Sequence, residues 1–238
     1  MENATYATLT RQMGLQQELQ VLANNIANAA TTGFKAEGVM FAEHINALGD
    51  NHPSLSMATA RVRQTDLGQG TLQQTGGTFD LAVEGEGFFL VETRDGPRLT
   101  RAGSFSPNGD GDLMTMTGHR VLDAGGAPVF VPQGVGPIGI SADGTLSADG
   151  QPFGQIGLVR PLDANQLVRE GGTLFNAIGG FEELPDGQMV QGFLEASNVN
   201  SISQITRLIE VQRAYEMGQN FLEQEDERVR GLIRAMGQ

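Results

Sequence analysis

The sequence predicts an α+β fold in which long N- and C-terminal helices pair with each other and flank a central, mainly antiparallel β domain. Two observations on residue distribution predict it. Of the 33 glycines, 26 lie between residues 68 and 192, and eight of the nine prolines lie between residues 97 and 185. Because glycine supplies turns and proline breaks helices, the middle of the chain should consist of strands and turns. Residues 1–32 and 193–238 contain no proline, so both ends can be helical.

The first predicted element is a helix over about residues 5–28. Its apolar residues follow a 4-3-4 spacing that places them on one helical face: Leu15, Leu19, Leu22 and Ile26. The remaining faces are rich in uncharged amides rather than in lysine and glutamate, and they include Asn24, Asn25 and Asn28. Amides both donate and accept hydrogen bonds, which favours close contact of this helix with other protein surfaces.

Four segments follow from this distribution of residues. We expect an N-terminal helix within residues 1–30, an extended linker over 31–66, a β-rich outer domain over 67–196 and a C-terminal helix within 197–238. In the β-rich segment, Phe79, Leu81 and Val83 alternate with polar or small residues, which is typical of a half-buried strand. Asp-Gly and Asn-Gly pairs at residues 95, 108, 143, 149 and 186 mark tight turns between strands.

The C-terminal helix should begin at a capping box formed by Ser201 and Gln204. Downstream of it, apolar residues recur at intervals of seven, which keeps one seam of a helix facing one partner: Leu208, Tyr215, Leu222, Val229 and Met236. The second seam position is mostly polar, and it comprises Ile205, Gln212, Gln219, Asp226 and Ile233. The pair of terminal helices should therefore be weak alone and completed by neighbouring copies, although both stripes could instead pack on the β domain.

Composition excludes several classes of function. The net charge is −13, which opposes binding to nucleic acid, and the chain has no cysteine for a disulfide or a thiolate metal site. No stretch approaches the roughly 20 apolar residues that a membrane span requires, so membrane insertion is not expected. A cleaved secretory signal is also absent from the N-terminal residues of the sequence.

Motifs that could carry chemistry fail in their context. Glycines 134, 136 and 139 have the spacing of a dinucleotide-binding loop, but Pro137 prevents the helix that such a loop must open. Asn108, Asp110 and Asp112 imitate the start of a calcium loop, but Leu113 replaces its glycine. We therefore predict no catalytic residue, no cofactor and no metal site, and hence no enzyme.

Three separated blocks of the sequence resemble the bacterial flagellar rod and hook family of axial proteins. They are LANNIANAATTGFK at residues 22–35, then DLAVEGEGFF at 80–89 with TRAGSF at 100–105, and finally QGFLEASNVN at 191–200 with QRAYE at 212–216. The resemblance covers nearly the whole chain. The short segment between Phe41 and Leu67 and the start near Tyr6 are most similar to proximal-rod rather than distal-rod members.

The resemblance implies a structural subunit of the basal-body rod, the drive shaft that crosses the periplasm. Its terminal helices would form the inner tube, and its neighbours would be other proximal-rod subunits and the distal-rod protein FlgG. Delivery would use the flagellar type III export apparatus. The residues that would carry assembly are Leu15, Leu19, Leu22, Asn24, Asn25, Ile26, Asn28, Leu208, Tyr215, Leu222, Val229 and Met236.

Two alternatives remain open at this point. The chain could be a distal-rod or hook subunit, which shares most of these motifs. It could also be an extracellular β-rich adhesin or polysaccharide-active protein, which would explain the glycine-rich middle but gives no reason for two helical ends.

Overall fold

A computed structural model describes residues 2–46 and 55–236, with side chains described for residues 7–40 and 64–236. Along the chain, one long helix precedes the strand-rich middle and another follows it, which confirms the predicted α+β class. The helices are α1 (Glu2–Ala27) and α2 (Ser201–Met236), and a 3-10 helix spans Ala164–Gln166. Neither long helix is apolar enough over a sufficient length to cross a membrane.

The strands of the described residues are all antiparallel to their partners. They are β1 Glu37–Asn46, β2 Leu55–Thr65, β3 Leu72–Gln74, β4 Leu81–Glu84, β5 Phe88–Thr93, β6 Gly96–Thr100, β7 Phe105–Pro107, β8 Leu113–Thr115, β9 Arg120–Leu122, β10 Ile138–Ile140, β11 Thr145–Ala148, β12 Gln151–Gln155, β13 Leu158–Pro161, β14 Leu167–Gly171, β15 Leu174–Ala177, β16 Phe181–Glu183, β17 Gln188–Gln191 and β18 Phe193–Glu195.

The chain divides into two compact units. The helical unit comprises Met1–Ala27, Glu37–Asp66 and Asn200–Gln238, so it contains both ends of the chain. The β unit comprises Asn28–Ala36 and Leu67–Val199. Each unit is built from segments that are distant in sequence.

Two strands pair as a β-hairpin within the segment predicted to be an extended linker, residues 31–66, of which residues 47–54 lie outside the described residues. Strands β1 and β2 pair from Glu37 opposite Thr65 to Asn46 opposite Leu55, with an irregularity between Met40 and Phe41. Helix α1 contacts both strands. The two strands pair the backbone groups on their facing edges, and both strands lie in the helical unit.

Helix α2 begins one residue earlier than the capping box in the sequence implied. The side-chain oxygen of Asn200 accepts a hydrogen bond from the backbone N–H of Ser203 at 3.2 Å, so Asn200 is the N-cap. The predicted cap, Ser201, is instead the first helical residue. Gln204, the other predicted member of the box, directs its side chain to Asn25 of α1.

The β unit contains one large sheet and three small ones among its described residues. The large sheet runs β14-β15-β6-β5-β9-β8-β7, and β13 pairs with both β5 and β16. The small sheets are β10-β11-β12, β4-β17 and β3-β18. The predicted alternation at residues 79–83 gives β4, in which Leu81, Ala82 and Val83 are all buried, so this strand is covered on both faces.

Two apolar clusters form the core of the β unit. One surrounds Phe89, whose ring meets that of Phe105 edge to face at 5.1 Å. The other surrounds Phe175, which contacts Phe88 in the same way at 5.9 Å. Gly103 lets two chain segments meet here, because a Cβ atom at this position would lie 1.7 Å from the carbonyl oxygen of Leu81.

The motifs set aside in the sequence are turns in the structure. Gln133 and Gly134 lie in a turn and Gly136 in a bend before strand β10, so no helix follows these glycines. Asn108 uses its side-chain oxygen to accept hydrogen bonds from the backbone N–H groups of Asp110 and Asp112, both at 2.9 Å. This side chain stabilises the turn itself.

Candidate assembly interface

Helices α1 and α2 pack against each other in the helical unit, as the sequence predicted. Their shared apolar cluster contains Leu15, Leu22 and Val211, with partly buried Leu19, Leu208, Ala214 and Tyr215 packed around it. Polar contacts between the helices link Asn25 to Gln204 and Gln12 to Tyr215. Residue numbers therefore rise along α1 as they fall along α2, and the pair is antiparallel.

The seam of α2 uses a different second position from the predicted one. The first seam position, which includes Leu208, Tyr215 and Leu222, is partly buried as predicted. The second set of residues that are at least partly buried lies three residues after each of these positions, or four residues before it. This set comprises Gln204, Val211, Gly218 and Glu225. The predicted members Ile205, Gln212, Gln219, Asp226 and Ile233 are all exposed. The prediction of the second seam position was wrong. Residues 211 and 212 lie on opposite sides of the same apolar stripe, and the location of α1 determines which of the two is buried.

Three polar contacts accompany the apolar seam. The Nε2 atom of Gln12 donates to the backbone carbonyl of Tyr215 at 2.8 Å, and Arg207 donates to the Glu18 carboxylate at 2.7 Å. The second contact raises the pKa of Arg207, because the carboxylate stabilises the charged guanidinium. Asn25, which is fully buried, exchanges two hydrogen bonds with the backbone of Glu37 and donates to Gln204.

The predicted assembly residues fall into three groups. Leu15, Leu19, Leu22, Leu208 and Tyr215 are in the seam between α1 and α2, and Asn25 is in the polar contacts beside it. Leu222 and Ile26 are half-buried, and Asn28 is half-buried in the β unit. The remaining three, Asn24, Val229 and Met236, are exposed.

The outer surface of the helical unit carries many large apolar side chains. Among its described residues, the exposed ones are Leu9, Met13, Met40, Ile202, Ile205, Ile209, Met217, Phe221, Val229, Leu232, Ile233 and Met236. Isolated exposed apolar residues are normal, but a set of this size on a unit built largely from two helices and a hairpin is typical of an interaction surface.

The last part of α2 is exposed throughout, as far as the described residues show. Every residue of 226–236 is exposed, and we call this part the overhang. It contains Val229, Leu232, Ile233 and Met236, whose exposed fractions range from 45% to 81%. A helix with one apolar face exposed over three turns is poorly stabilised in water, so this face is suited to a partner.

A buried ion cluster in the β unit was missed in the sequence analysis. The carboxylate of Glu195 contacts the Nζ atom of Lys35 at 2.5 Å and the guanidinium of Arg101 at 3.1 Å, and all three side chains are at most 3% exposed. The backbone N–H of Gly70 also donates to Glu195 at 2.8 Å. Burial lowers the pKa of Arg101, and the charge and hydrogen bond of Glu195 oppose that effect.

Hydrogen bonds around Lys35 and Glu195 connect residues 33–36 to residues 195–198 within the β unit. Gly33 donates its N–H to the carbonyl of Glu195 at 2.7 Å, and the N–H of Ala36 donates to the side chain of Asn198 at the same distance. Gly33 has a φ of 70°, and a Cβ atom there would lie 2.3 Å from the backbone of Ala102. The cluster therefore joins the three sequence blocks at residues 22–35, 100–105 and 191–200. All three blocks resemble the same protein family, and this was the signal in the sequence that could have revealed the cluster.

Comparison with known proteins gives three family matches that follow the chain in order. Residues 6–35 match the sequence model described as "Flagella basal body rod protein", residues 82–148 match "Flagellar hook protein FlgE/F/G D1 domain", and residues 190–234 match "Flagellar basal body rod FlgEFG protein C-terminal". The first and third of these lie on the two paired helices and the segments that adjoin them.

Individual relatives match over most of their length. The flagellar basal-body rod protein FlgF of Caulobacter vibrioides is 40% identical over all of this chain and 99% of its own length. The FlgF of Mesorhizobium japonicum is 40% identical over 91% of this chain and 90% of its own length. The rod protein FlgG of Bacillus subtilis is 30% identical over 98% of both chains.

Proposed function

Because this chain belongs to the flagellar basal-body rod protein family, we propose that it is a structural subunit of the proximal rod, the part of the drive shaft formed by FlgF-type proteins. The identity of 40% to two FlgF proteins, against 30% to a FlgG protein, supports this choice within the family. The observation that carries a structural rather than an enzymatic role is the exposed apolar surface of the helical unit.

Assembly would use the two ends of the chain in two distinct ways. Leu15, Leu19, Leu22, Leu208 and Tyr215 hold α1 against α2 within one subunit. The exposed apolar residues on the outside of this pair, together with the overhang, would bury themselves against neighbouring subunits. Burying this apolar surface would contribute about 25 cal/mol per Å² of favourable free energy, and only in the polymer. Assembly and ordering of the overhang are therefore coupled.

Torque would pass through these lateral contacts. Each subunit of such a shaft contacts several others through repeated copies of one surface, so stiffness comes from many modest interfaces rather than from one strong bond. Neighbours would include other proximal-rod subunits and FlgG. The subunit would be delivered through the flagellar type III export apparatus, and its position in the rod would lie in the periplasm.

The direct test is a strain that lacks this gene, examined for basal bodies by electron microscopy and for swimming in soft agar. We expect basal bodies whose rods end early and cells that do not swim, with both defects corrected by the intact gene. Complete rods and normal swimming in the deletion strain would contradict the proposal.

A distal-rod role is the second candidate, because a FlgG protein also matches over almost the whole chain. An affinity tag detected by gold labelling of purified basal bodies separates the two. Label confined to the end of the rod nearest the motor supports the proximal rod, and label along the portion nearest the hook supports the distal rod.

Hydrogen exchange offers a test of the coupling between assembly and order. In the purified subunit we expect the amides of residues 226–236 to exchange fastest within α2, since every one of these residues is exposed, whereas amides near Val211 exchange slowly. In assembled rods the overhang should become as protected as the rest of α2. Equal protection of both parts of α2 in the dilute subunit would count against the idea.

A further inference from the structure

A glycine in the middle of α2, Gly218, faces the side chain of Gln12 on α1. Glycine destabilises the interior of a helix relative to alanine, so Gly218 requires a reason. A Cβ atom at this position would lie 2.1 Å from the Nε2 atom of Gln12. The missing side chain therefore forms a slot on α2 that the Gln12 amide fills.

Gln12 is a costly residue to place in this slot. Its side chain is 8% exposed, and although Nε2 donates to the Tyr215 carbonyl at 2.8 Å, its Oε1 atom is buried without a hydrogen-bond partner. An apolar side chain of the same length would fill the space without leaving an acceptor unsatisfied. A buried polar residue of this kind is better explained by specificity than by stability, as at polar seam positions of coiled coils.

The apolar seam by itself does not define one register. The apolar residues of both helices recur at intervals of three and four, so sliding α1 along α2 by one turn would again place apolar residues opposite apolar residues. The slot breaks this degeneracy. Apart from Gly218, the described part of α2 has a glycine only at Gly231, 13 residues or about 20 Å further along the helix.

We infer that Gln12, seated on Gly218, sets the register of α1 against α2. In any register displaced by one turn, the buried amide of Gln12 meets a residue that carries a Cβ atom, and its hydrogen bond to the Tyr215 carbonyl is lost. The contacts of Glu18 with Arg207 and of Asn25 with Gln204 occur in the same register and lie on the same side of the slot, towards the start of α2.

The register decides what the helical pair presents to its surroundings. A slip of one turn along the helix axis would change the length of the overhang by about 5 Å and so alter how much of its apolar surface is exposed. The consequence for assembly rests on the proposed function, but the register itself is a property of the single chain. The two can therefore fail separately.

The test measures the register in the purified full-length subunit. The chain contains no cysteine, so cysteines introduced at the exposed positions Ala23 of α1 and Glu223 of α2 accept nitroxide labels at those positions alone. Because Asn25 lies opposite Gln204, the two positions are about 27 Å apart along the helix axis, and an axial slip changes their separation by nearly its full length. Double electron–electron resonance then gives the distance distribution between the labels. The parent, Gln12→Met, Gly218→Ala and the matched control Gly231→Ala are compared.

We expect a single distance in the parent and in Gly231→Ala, since a Cβ atom at Gly231 meets nothing within 4 Å. Gly218→Ala should displace the flexible end of Gln12 from the slot and give two populations about 5 Å apart, one helical turn. Gln12→Met should unfold at a temperature equal to or above that of the parent, yet show two populations about 5 Å apart. A single parental distance in Gln12→Met, or the same distribution for Gly218→Ala and Gly231→Ala, would overturn the inference.

Discussion

Replacing Glu195 with alanine is expected to lower the free energy of unfolding by about 3–5 kcal/mol. The carboxylate is the shared partner of Lys35 and Arg101, and all three side chains are almost fully buried. Without it, two cations would remain in a low-dielectric environment with their principal counter-charge removed. Denaturant unfolding of the full chain, followed by fluorescence of a dye that reports exposed apolar surface, measures the change.

Glu92→Ala is the matched control for this prediction. Glu92 also pairs with an arginine, Arg120, but at 3.5 Å and with both side chains about half exposed. Such a surface pair contributes about 0.5 kcal/mol or less. If Glu195→Ala lowers the free energy of unfolding by no more than Glu92→Ala does, the buried ion cluster does not stabilise the β unit.

The second large effect is expected in the overhang, where the double variant Val229→Asp/Ile233→Asp should abolish swimming and leave the subunit folded. Both side chains are exposed in the single chain, so the free energy of unfolding should change by no more than about 0.5 kcal/mol. In the polymer, two carboxylates would be buried against an apolar neighbour, which opposes assembly strongly. Swim-zone diameter and rod formation by electron microscopy provide the measurement.

Gln224→Asp serves as the control for the added negative charge. Gln224 is exposed on α2 just before the overhang and is not apolar, so this variant should swim as the parent does. If the double variant also swims and builds rods, the overhang is not an assembly surface.

The architecture was accessible to sequence reasoning because it depends on local signals. Glycine and proline placed the strands and turns, and apolar spacing identified both terminal helices and the face by which they meet, including Leu15, Leu22 and Leu208. The hairpin β1-β2 was not anticipated within the expected linker. Its strands are stabilised by each other and by packing on α1, and neither contact is visible in a local pattern.

The candidate site was predicted only in part, for a similar reason. Asn25 was expected among the residues that carry assembly, but in the structure its side chain makes hydrogen bonds within the helical unit. The sequence shows that a side chain can donate and accept hydrogen bonds. It does not show which partner fills that capacity.

The sequence by itself determined the order of elements, the amphipathic faces of the terminal helices and the resemblance to the rod family, since each depends on residues that are close together in the chain. Tertiary structure alone decided the second seam position of α2, the slot at Gly218 and the meeting of Lys35, Arg101 and Glu195. These features join residues separated by 66 to 206 positions. Their energies arise from burial and close approach, which exist only once the distant segments have packed together.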